Sequence, residues 1–279
     1  MRIIAGDKRW LALVGLALGG LAVVYAVDGP WRDASLRDPL ATGVIRIGYA
    51  VEAPYAFVTP AGEVTGESPE IAKAMAARLG IKHIRWRLVD FGALIAELEA
   101  RRIDVIAAGM FITPDRARRV NFSLPTFHVR QGLLVPRGNP RRLSSYRQAA
   151  GMGDIRLAAL AGSVEENLLR GLGITGGHLL TVPDARTGLV AVESGQADGL
   201  ALSSPTVRWM AQSEQLTSAE MARDLEQTSQ AELGYGAFAF RREDRLLLEA
   251  WNRELRPFVG SPEHLTLIAR FGFTPAELP

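Results

Sequence analysis

Five side chains suited to holding a small charged molecule follow the predicted ends of three β-strands. Glu52 and Tyr55 follow the first strand, Phe91 follows the second, and Phe111 and Arg116 follow the third. Ligands of open α/β sheets bind beyond the carboxyl ends of the strands, so topology brings these five residues together. A guanidinium in the first turn of a helix is suited to holding a carboxylate. Three rings, one Arg and one Glu around a cleft therefore predict a site for a compact zwitterion.

Each of these residues also has a purely structural explanation. An aromatic residue at the end of a strand is commonly a core residue, which applies equally to Tyr55, Phe91 and Phe111. Arg116 lies in the run Arg116-Ala117-Arg118-Arg119, and a single carboxylate such as Glu52 is more often a solvated surface charge. The residue types and their positions alone leave both interpretations open.

The elements that must position these residues alternate between β-rich runs and amphipathic helical runs, which is typical of parallel sheets with crossover helices. The predicted strands are Val44–Ala50, Ile84–Val89, Ile103–Ala107, Arg156–Ala161, His178–Val182, Ala197–Ala201 and Gly234–Phe240. Helix starts are predicted at Ser68-Pro69, Asp90, Thr113-Pro114, Ser163, Ser204-Pro205 and Ser261-Pro262, where a capping residue precedes a helical run. The chain passes between two α/β units near residues 125–131 and 230–236. Two crossings predict a two-strand hinge and a cleft that closes on a ligand.

Composition excludes several other classes of protein. The chain has 279 residues, enough for about two domains, with 48% apolar and 22% charged residues. The absence of cysteine excludes thiol catalysis and Cys-ligated metals, and the four histidines show no metal-ligand spacing. No nucleotide-binding, serine-hydrolase or kinase motif is present. We therefore expect no cofactor.

The N-terminal segment predicts export. Arg2, Lys8 and Arg9 precede an apolar stretch of 18 residues, Trp10–Val27. Residues 1–27 are therefore predicted to be a secretory signal peptide or a retained membrane anchor, and residues 28–42 a linker. The basic residues of this segment account for the net charge of +2, so the rest of the chain is neutral and nucleic-acid binding is not expected.

Several motifs carry a resemblance to a known family. They are Val44-Ile45-Arg46-Ile47-Gly48-Tyr49, Gly66-Glu67-Ser68-Pro69-Glu70, Asp104–Arg116, Ala161-Gly162-Ser163, Gly195-Gln196-Ala197-Asp198, Tyr235-Gly236-Ala237-Phe238 and Gly260–Leu265. Together they resemble the family-3 solute-binding proteins of polar amino acid ABC importers, over about residues 42–273. Within that family the chain is most similar to ectoine- and hydroxyectoine-binding proteins. The resemblance implies a two-lobed type II periplasmic-binding-protein fold.

The resemblance also implies a role for each site residue. Tyr55, Phe91 and Phe111 match the three rings that box a delocalised cation. Arg116 matches the carboxylate clamp, and Glu52 matches the acid that accepts the ring N–H groups. Ser163 matches a residue that meets the carboxylate from the second lobe, and Gly109 a position where backbone approaches the ligand.

Two positions differ from ordinary amino-acid binders. Phe111 replaces a Thr or Ser, and Ser203 replaces the Asp that pairs with an α-ammonium. A buried ammonium without a carboxylate is costly, so α-amino acids are disfavoured. The alternatives left open are a polar amino acid binder, an anchored sensory domain and an enzyme of the cyclohexadienyl dehydratase kind.

The expected organisation follows from the same resemblance. Lobe 1 is predicted to contain residues 43–127 and 234–279, and lobe 2 residues 128–233. The expected protein is a monomer outside the cytoplasm, in the periplasm or at the outer face of the membrane. It is expected to bind a small zwitterionic solute and to deliver it to an ABC permease.

Overall fold

A computed structural model describes residues 33–212, 216–223, 225 and 234–279. The predicted signal peptide or anchor, residues 1–27, lies outside the described residues, as does most of the second predicted crossing before residue 234. Within the described part of the chain, no helix is long and apolar enough to span a membrane.

The strands of the described residues are short. They are β1 (Val44–Tyr49), β2 (Phe57–Val58), β3 (Val64–Thr65), β4 (His83–Leu88), β5 (Val105–Ile106), β6 (Val120–Phe122), β7 (Phe127–Val129), β8 (Gln131–Pro136), β9 (Leu157–Leu160), β10 (Leu179–Val182), β11 (Gly199–Ser203), β12 (Ala219–Met221), β13 (Gly234–Gly236) and β14 (Ala239–Arg241).

Helices separate most of these strands. The α-helices are α1 (Arg37–Thr42), α2 (Glu67–Arg78), α3 (Leu94–Glu99), α4 (Pro114–Ala117), α5 (Tyr146–Ala150), α6 (Val164–Gly171), α7 (Ala185–Glu193), α8 (Ser204–Gln212), α9 (Arg245–Phe258) and α10 (Pro262–Ala269). Short 3₁₀ turns lie at Phe91–Ala93, Gly176–His178 and Pro275–Glu277.

Two five-stranded sheets form two lobes. The first lobe is built on a sheet of order β4-β1-β5-β14-β6, in which β1 is parallel to β4 and β5 and β14 is antiparallel to its neighbours. The second lobe is built on a sheet of order β10-β9-β11-β8-β12, with β9 parallel to β10 and β11. Helices flank both sheets, so the predicted α/β, two-lobed fold is confirmed.

The lobes are joined by a pair of antiparallel strands. Strand β7 pairs with β13, with Phe127 opposite Gly236. The ring of Phe127 packs so closely on Gly236 that an added Cβ would lie 1.9 Å from it. The prediction that Gly234–Phe240 forms a single strand is wrong. The segment is two strands, because β13 pairs in the hinge whereas β14 joins the first sheet.

Helix starts were predicted with mixed success. Thr113 and Ser261 accept hydrogen bonds from helical N–H groups, as their cap spacing predicts. Ser68 is not a cap, because α2 begins one residue earlier and the carbonyls of Pro54 and Tyr55 accept its first free N–H groups. Ser204 is not a cap either, because α8 begins at Ser204 itself.

The N-terminal end of the described chain is fixed to the first lobe. Part of the predicted linker forms α1, and the residues before it cap α9. The Asp33 carboxylate accepts the Leu246 N–H at 2.7 Å, and the Ser35 hydroxyl accepts the Leu247 N–H at 3.2 Å. These bonds satisfy two of the N–H groups that every helix start leaves free.

Candidate functional site

The loop after β1 places Glu52 and Tyr55 at the carboxyl end of the first sheet. Glu52 and Ala56 exchange two backbone hydrogen bonds of 2.8 and 3.0 Å, which close a tight turn with Tyr55 inside it. The Tyr55 ring is 1% exposed and meets Phe111 edge to face, with ring centres 6.4 Å apart. It also packs on Gly109, where an added Cβ would lie 2.5 Å from the Tyr55 Cγ.

Gly109 is required by both space and conformation. Its φ is +62°, a region that favours glycine, and its N–H donates to the Ser68 hydroxyl at 3.1 Å. The group that lies against Gly109 is therefore the Tyr55 ring, and the predicted close approach of a ligand to this glycine stays a prediction.

Helix α4 positions Arg116. Its N-cap, Thr113, accepts the Arg116 N–H at 3.3 Å, and Arg116 Nη1 donates to the carbonyl of Phe111 at 2.7 Å. The guanidinium carbon lies 5.4 Å from the centre of the Phe91 ring, within cation–π range. Arg116 Nη2 donates to the carbonyl of Gly162 at 2.9 Å. Arg116 thus contacts both lobes.

Hydroxyl groups of the second lobe face the loop after β1. The Tyr55 hydroxyl donates to Ser203 Oγ at 3.0 Å, and the Thr206 hydroxyl donates to Glu52 Oε1 at 2.8 Å. Ser203 and Thr206 are themselves linked by a 3.0 Å hydrogen bond at the start of α8. With the Arg116 bond to Gly162, these contacts hold the two lobes closed on each other.

The eight predicted residues do not all meet. Tyr55 contacts Gly109, Phe111 and Ser203 directly, and Glu52 is connected to Ser203 through the Thr206 hydroxyl. Phe91 reaches this set through the Arg116 guanidinium rather than through another ring. Ser163 is the N-cap of α6 and accepts the Glu166 N–H at 3.0 Å.

The three rings are also part of the first lobe's core. Tyr55 and Phe111 belong to the cluster that includes Phe127, and Phe91 belongs to a neighbouring cluster with Leu94. Phe91 is 8% exposed and Phe111 9% exposed. The core interpretation therefore applies to all three rings, and their role in binding a ligand stays a prediction.

Two cleft residues were missed by the sequence reasoning. Thr206 stands three residues after Ser203, which is the spacing of an N-cap and its partner, and this spacing could have identified it. Glu165 stands two residues after the cap Ser163 and is only 4% exposed. A carboxylate in the first turn of a helix usually has an ordinary structural reason, so its position gave no functional signal.

The cleft is electrostatically unusual. Burial, together with the nearby charge of Glu165, raises the pKa of Glu52 to about 7, although Thr206 and Arg116 oppose the rise. Burial also raises the pKa of Glu165. Burial lowers the pKa of Arg116, and the two carboxylates counter this. Carboxylates held in this way gain by accepting a cationic group.

A large groove elsewhere on the first lobe is a weaker candidate. It has a volume of about 1510 Å³ and lies between the segment before β1 and the start of α9. Its buried charges already pair with each other: Asp104 contacts both Arg46 and Arg241, and Arg241 contacts Asp244. Among the described residues, no group of three or more His, Asp or Glu side chains is placed to hold a metal ion.

The fold and the closed cleft define a hinged, two-lobed binding protein. Residues 45–272 match the family model "Bacterial extracellular solute-binding proteins, family 3", and the chain belongs to this family. A Sinorhizobium fredii (strain NBRC 101917 / NGR234) protein, the probable amino-acid ABC transporter periplasmic-binding protein y4tE, is 32% identical over 247 residues, covering 88% of this chain and 82% of that protein.

Two solved structures are similar throughout the fold. The crystal structure of EhuB in complex with hydroxyectoine is 28% identical, with a TM-score of 0.81, and the match covers 87% of this chain and 93% of EhuB. The P235GK mutant of ArgBP from T. maritima is 25% identical, with a TM-score of 0.76, covering 85% and 99% of the two chains.

Proposed function

We propose that this protein is the extracytoplasmic solute-binding component of an ABC import system, and that it captures ectoine- or hydroxyectoine-type compatible solutes. The observation that carries the proposal is the junction at Arg116. One guanidinium there touches the Phe91 ring, the backbone of Phe111 and the second lobe. A solute whose carboxylate binds Arg116 would have its cationic part among the rings and beside Glu52.

Each part of the cleft suits one part of such a solute. Arg116 has five N–H donors and uses two of its nitrogens for the carbonyls of Phe111 and Gly162, which leaves donors for a carboxylate. A delocalised cation over an aromatic face gains roughly 0.5–2 kcal/mol per contact. The Glu52 carboxylate accepts N–H groups of that cation. Tyr55, Phe91 and Phe111 are the proposed rings, with Gly109, Ser163 and Ser203 as further contacts.

The mechanism we propose is a shift of population. Bonds between the lobes at Ser203, Thr206 and Gly162 exist only when the cleft is closed. A solute that touches both walls adds its own contacts to this state and not to the open one, so binding favours closure. The closed form then delivers its solute to the permease. The name of the relative y4tE, a probable amino-acid ABC transporter periplasmic-binding protein, supports this transport role.

The organisation that we propose follows the pairing of the strands. Lobe 1 takes residues 43–127 and 234–279, and lobe 2 takes residues 128–233, with the pair β7 and β13 between them. Residues 1–27 act as an export signal or an anchor, so the two lobes work outside the cytoplasm. The protein acts as a monomer.

A second candidate solute is a basic amino acid. The observation that favours it is the pair of acidic side chains, Glu52 and Glu165, in a cleft with the single guanidinium of Arg116. The similarity to ArgBP from T. maritima agrees with it. Ser203 argues against a basic amino acid, because a buried α-ammonium would need a carboxylate at this position.

Isothermal titration of the full chain separates these candidates. The protein is first unfolded and refolded to remove carried-over solute, and is then titrated with ectoine, hydroxyectoine, arginine and glutamine. Heat from an ectoine and none from the amino acids is the expected result. Heat from arginine alone would replace the proposed solute by a basic amino acid, and silence with all four would refute both candidates.

A further inference from the structure

Glu165 is a buried carboxylate that the described part of the chain satisfies only in part: Ser163 and the backbone of Glu165 itself hydrogen-bond to it, but one oxygen has no partner there. It lies in the first turn of α6, is 4% exposed, and its Oε1 has no hydrogen-bond partner among the described residues. The adjacent Glu166 is fully engaged: it binds the Gly162 N–H, the Arg170 side chain and the Thr181 hydroxyl. Leaving a buried acceptor without a partner is costly, so such a group needs a reason.

Glu165 faces the cleft from the second lobe. Three residues before it, the Gly162 carbonyl accepts the 2.9 Å hydrogen bond from Arg116, so the first turn of α6 lies against the opposite wall. The charge of Glu165 accordingly influences Glu52, Tyr55 and Arg116 on that wall. Among the described residues, the closed cleft therefore holds the carboxylates of Glu52 and Glu165 and the guanidinium of Arg116. A zwitterion whose carboxylate binds Arg116 brings its cation to the space that Glu52 and Glu165 border from two sides.

We propose that Glu165 is a second acidic ligand-binding residue, and that the solute is a zwitterion whose delocalised cation donates N–H groups in two directions, one to each wall. This inference rests on the proposed function and names its solute class more closely. Amidinium and guanidinium groups meet the requirement. A quaternary ammonium offers no N–H donor, so solutes of that kind are excluded.

The test compares two matched substitutions. Glu165→Gln changes a carboxylate two residues after the cap Ser163, and Glu263→Gln makes the same change two residues after the cap Ser261 of α10, where Glu263 pairs with Arg78 on the surface. In titrations of the full chain with ectoine and arginine, Glu165→Gln is expected to weaken binding of whichever solute the wild type accepts by about tenfold or more. Glu263→Gln is expected to have no effect. Affinities of Glu165→Gln within about twofold of wild type would overturn the inference.

A second measurement needs no bound solute. Carboxyl NMR titration of the full chain, in the closed form that the structure describes, follows the pKa of Glu52, whose signal is assigned by its loss in Glu52→Gln. If Glu165 faces Glu52, then Glu165→Gln lowers the pKa of Glu52, read as its titration midpoint, from about 7. Glu263→Gln is expected to leave this midpoint unchanged. An unchanged midpoint would overturn the inference. If the wild type binds neither solute but the midpoint moves, the proposed function fails while the place of Glu165 in the cleft stands.

Discussion

The two walls of the cleft use different chemistry. The first-lobe wall carries rings and opposite charges on loops that follow parallel strands: Tyr55, Phe91 and Phe111 with Glu52 and Arg116. The second-lobe wall carries hydroxyls and a carboxylate at the starts of two helices, namely Ser203, Thr206 and Glu165.

This difference suggests a division of work. Rings rooted in a core are already in place before a solute arrives, so the first wall can bind without rearranging. Hydroxyl contacts across the cleft form only on closure, so the second wall mainly decides how stable the closed state is. Substitutions in the first wall should therefore weaken binding more than substitutions of the second-wall hydroxyls.

The largest effect is expected from Arg116→Ala. This change removes the proposed carboxylate clamp and leaves a buried solute carboxylate without its charged partner, which corresponds to an affinity loss of about a hundredfold. Isothermal titration measures it. Arg118→Ala is the control, because Arg118 lies next to the same helix but is exposed and pairs with Asp115. A loss no greater than that of the control would place the solute carboxylate elsewhere.

Acidification should weaken binding next most strongly. The pKa of Glu52 is raised to about 7 in the closed cleft, so before a solute binds there this group is mostly protonated at pH 6 and mostly ionised at pH 8. Only the ionised form attracts a cation, and linkage then predicts affinity about tenfold lower at pH 6 than at pH 8. Titrations across this range in wild type and Glu52→Gln measure it. A Glu52→Gln variant with the same pH profile as wild type would assign the titration to another group.

Phe111→Leu tests the aromatic part of the first wall. Leucine fills most of the space but has no π face, so we expect affinity to fall about fivefold, in line with the loss of one cation–π contact. Phe240→Leu is matched to it, since Phe240 is fully buried in the same core and packs on Trp251. Both variants should melt at a lower temperature. Equal affinities for the two would mean that Phe111 serves the core alone.

The smallest effect is expected from Thr206→Val in the second wall. It deletes the hydrogen bond to Glu52 across the cleft, which corresponds to about a threefold loss of affinity through a less stable closed form. Thr181→Val, which deletes a 3.2 Å bond to Glu166 in the same lobe, is the control. If Thr206→Val costs more affinity than Phe111→Leu, the proposed division between the walls is wrong.

The sequence predicted the first wall better than the second because the rule that locates it is topological. Parallel strands bring their carboxyl ends to one edge, so Glu52, Tyr55 and Arg116 could be placed together without coordinates. Helix starts were less certain. At Ser68 the backbone carbonyls of Pro54 and Tyr55 take the place of a side-chain cap, and such tertiary contacts leave no trace in local spacing.

The two cleft residues that the sequence did not predict were missed for the same reason. Glu165 and Thr206 occupy helix first turns, where a carboxylate or a hydroxyl is ordinary, and only the closure of one lobe on the other brings them to Glu52. The split of Gly234–Phe240 into β13 and β14 has a similar origin. Both segments have β-forming residues, but their partners lie in different sheets.

The proposed place of the solute is best tested by a crystal structure of the full chain with ectoine. We expect the solute in the closed cleft, with its carboxylate about 3 Å from the Arg116 guanidinium, its ring against Phe111 and an N–H group on Glu52. A solute outside the cleft, or a carboxylate held without Arg116, would contradict it.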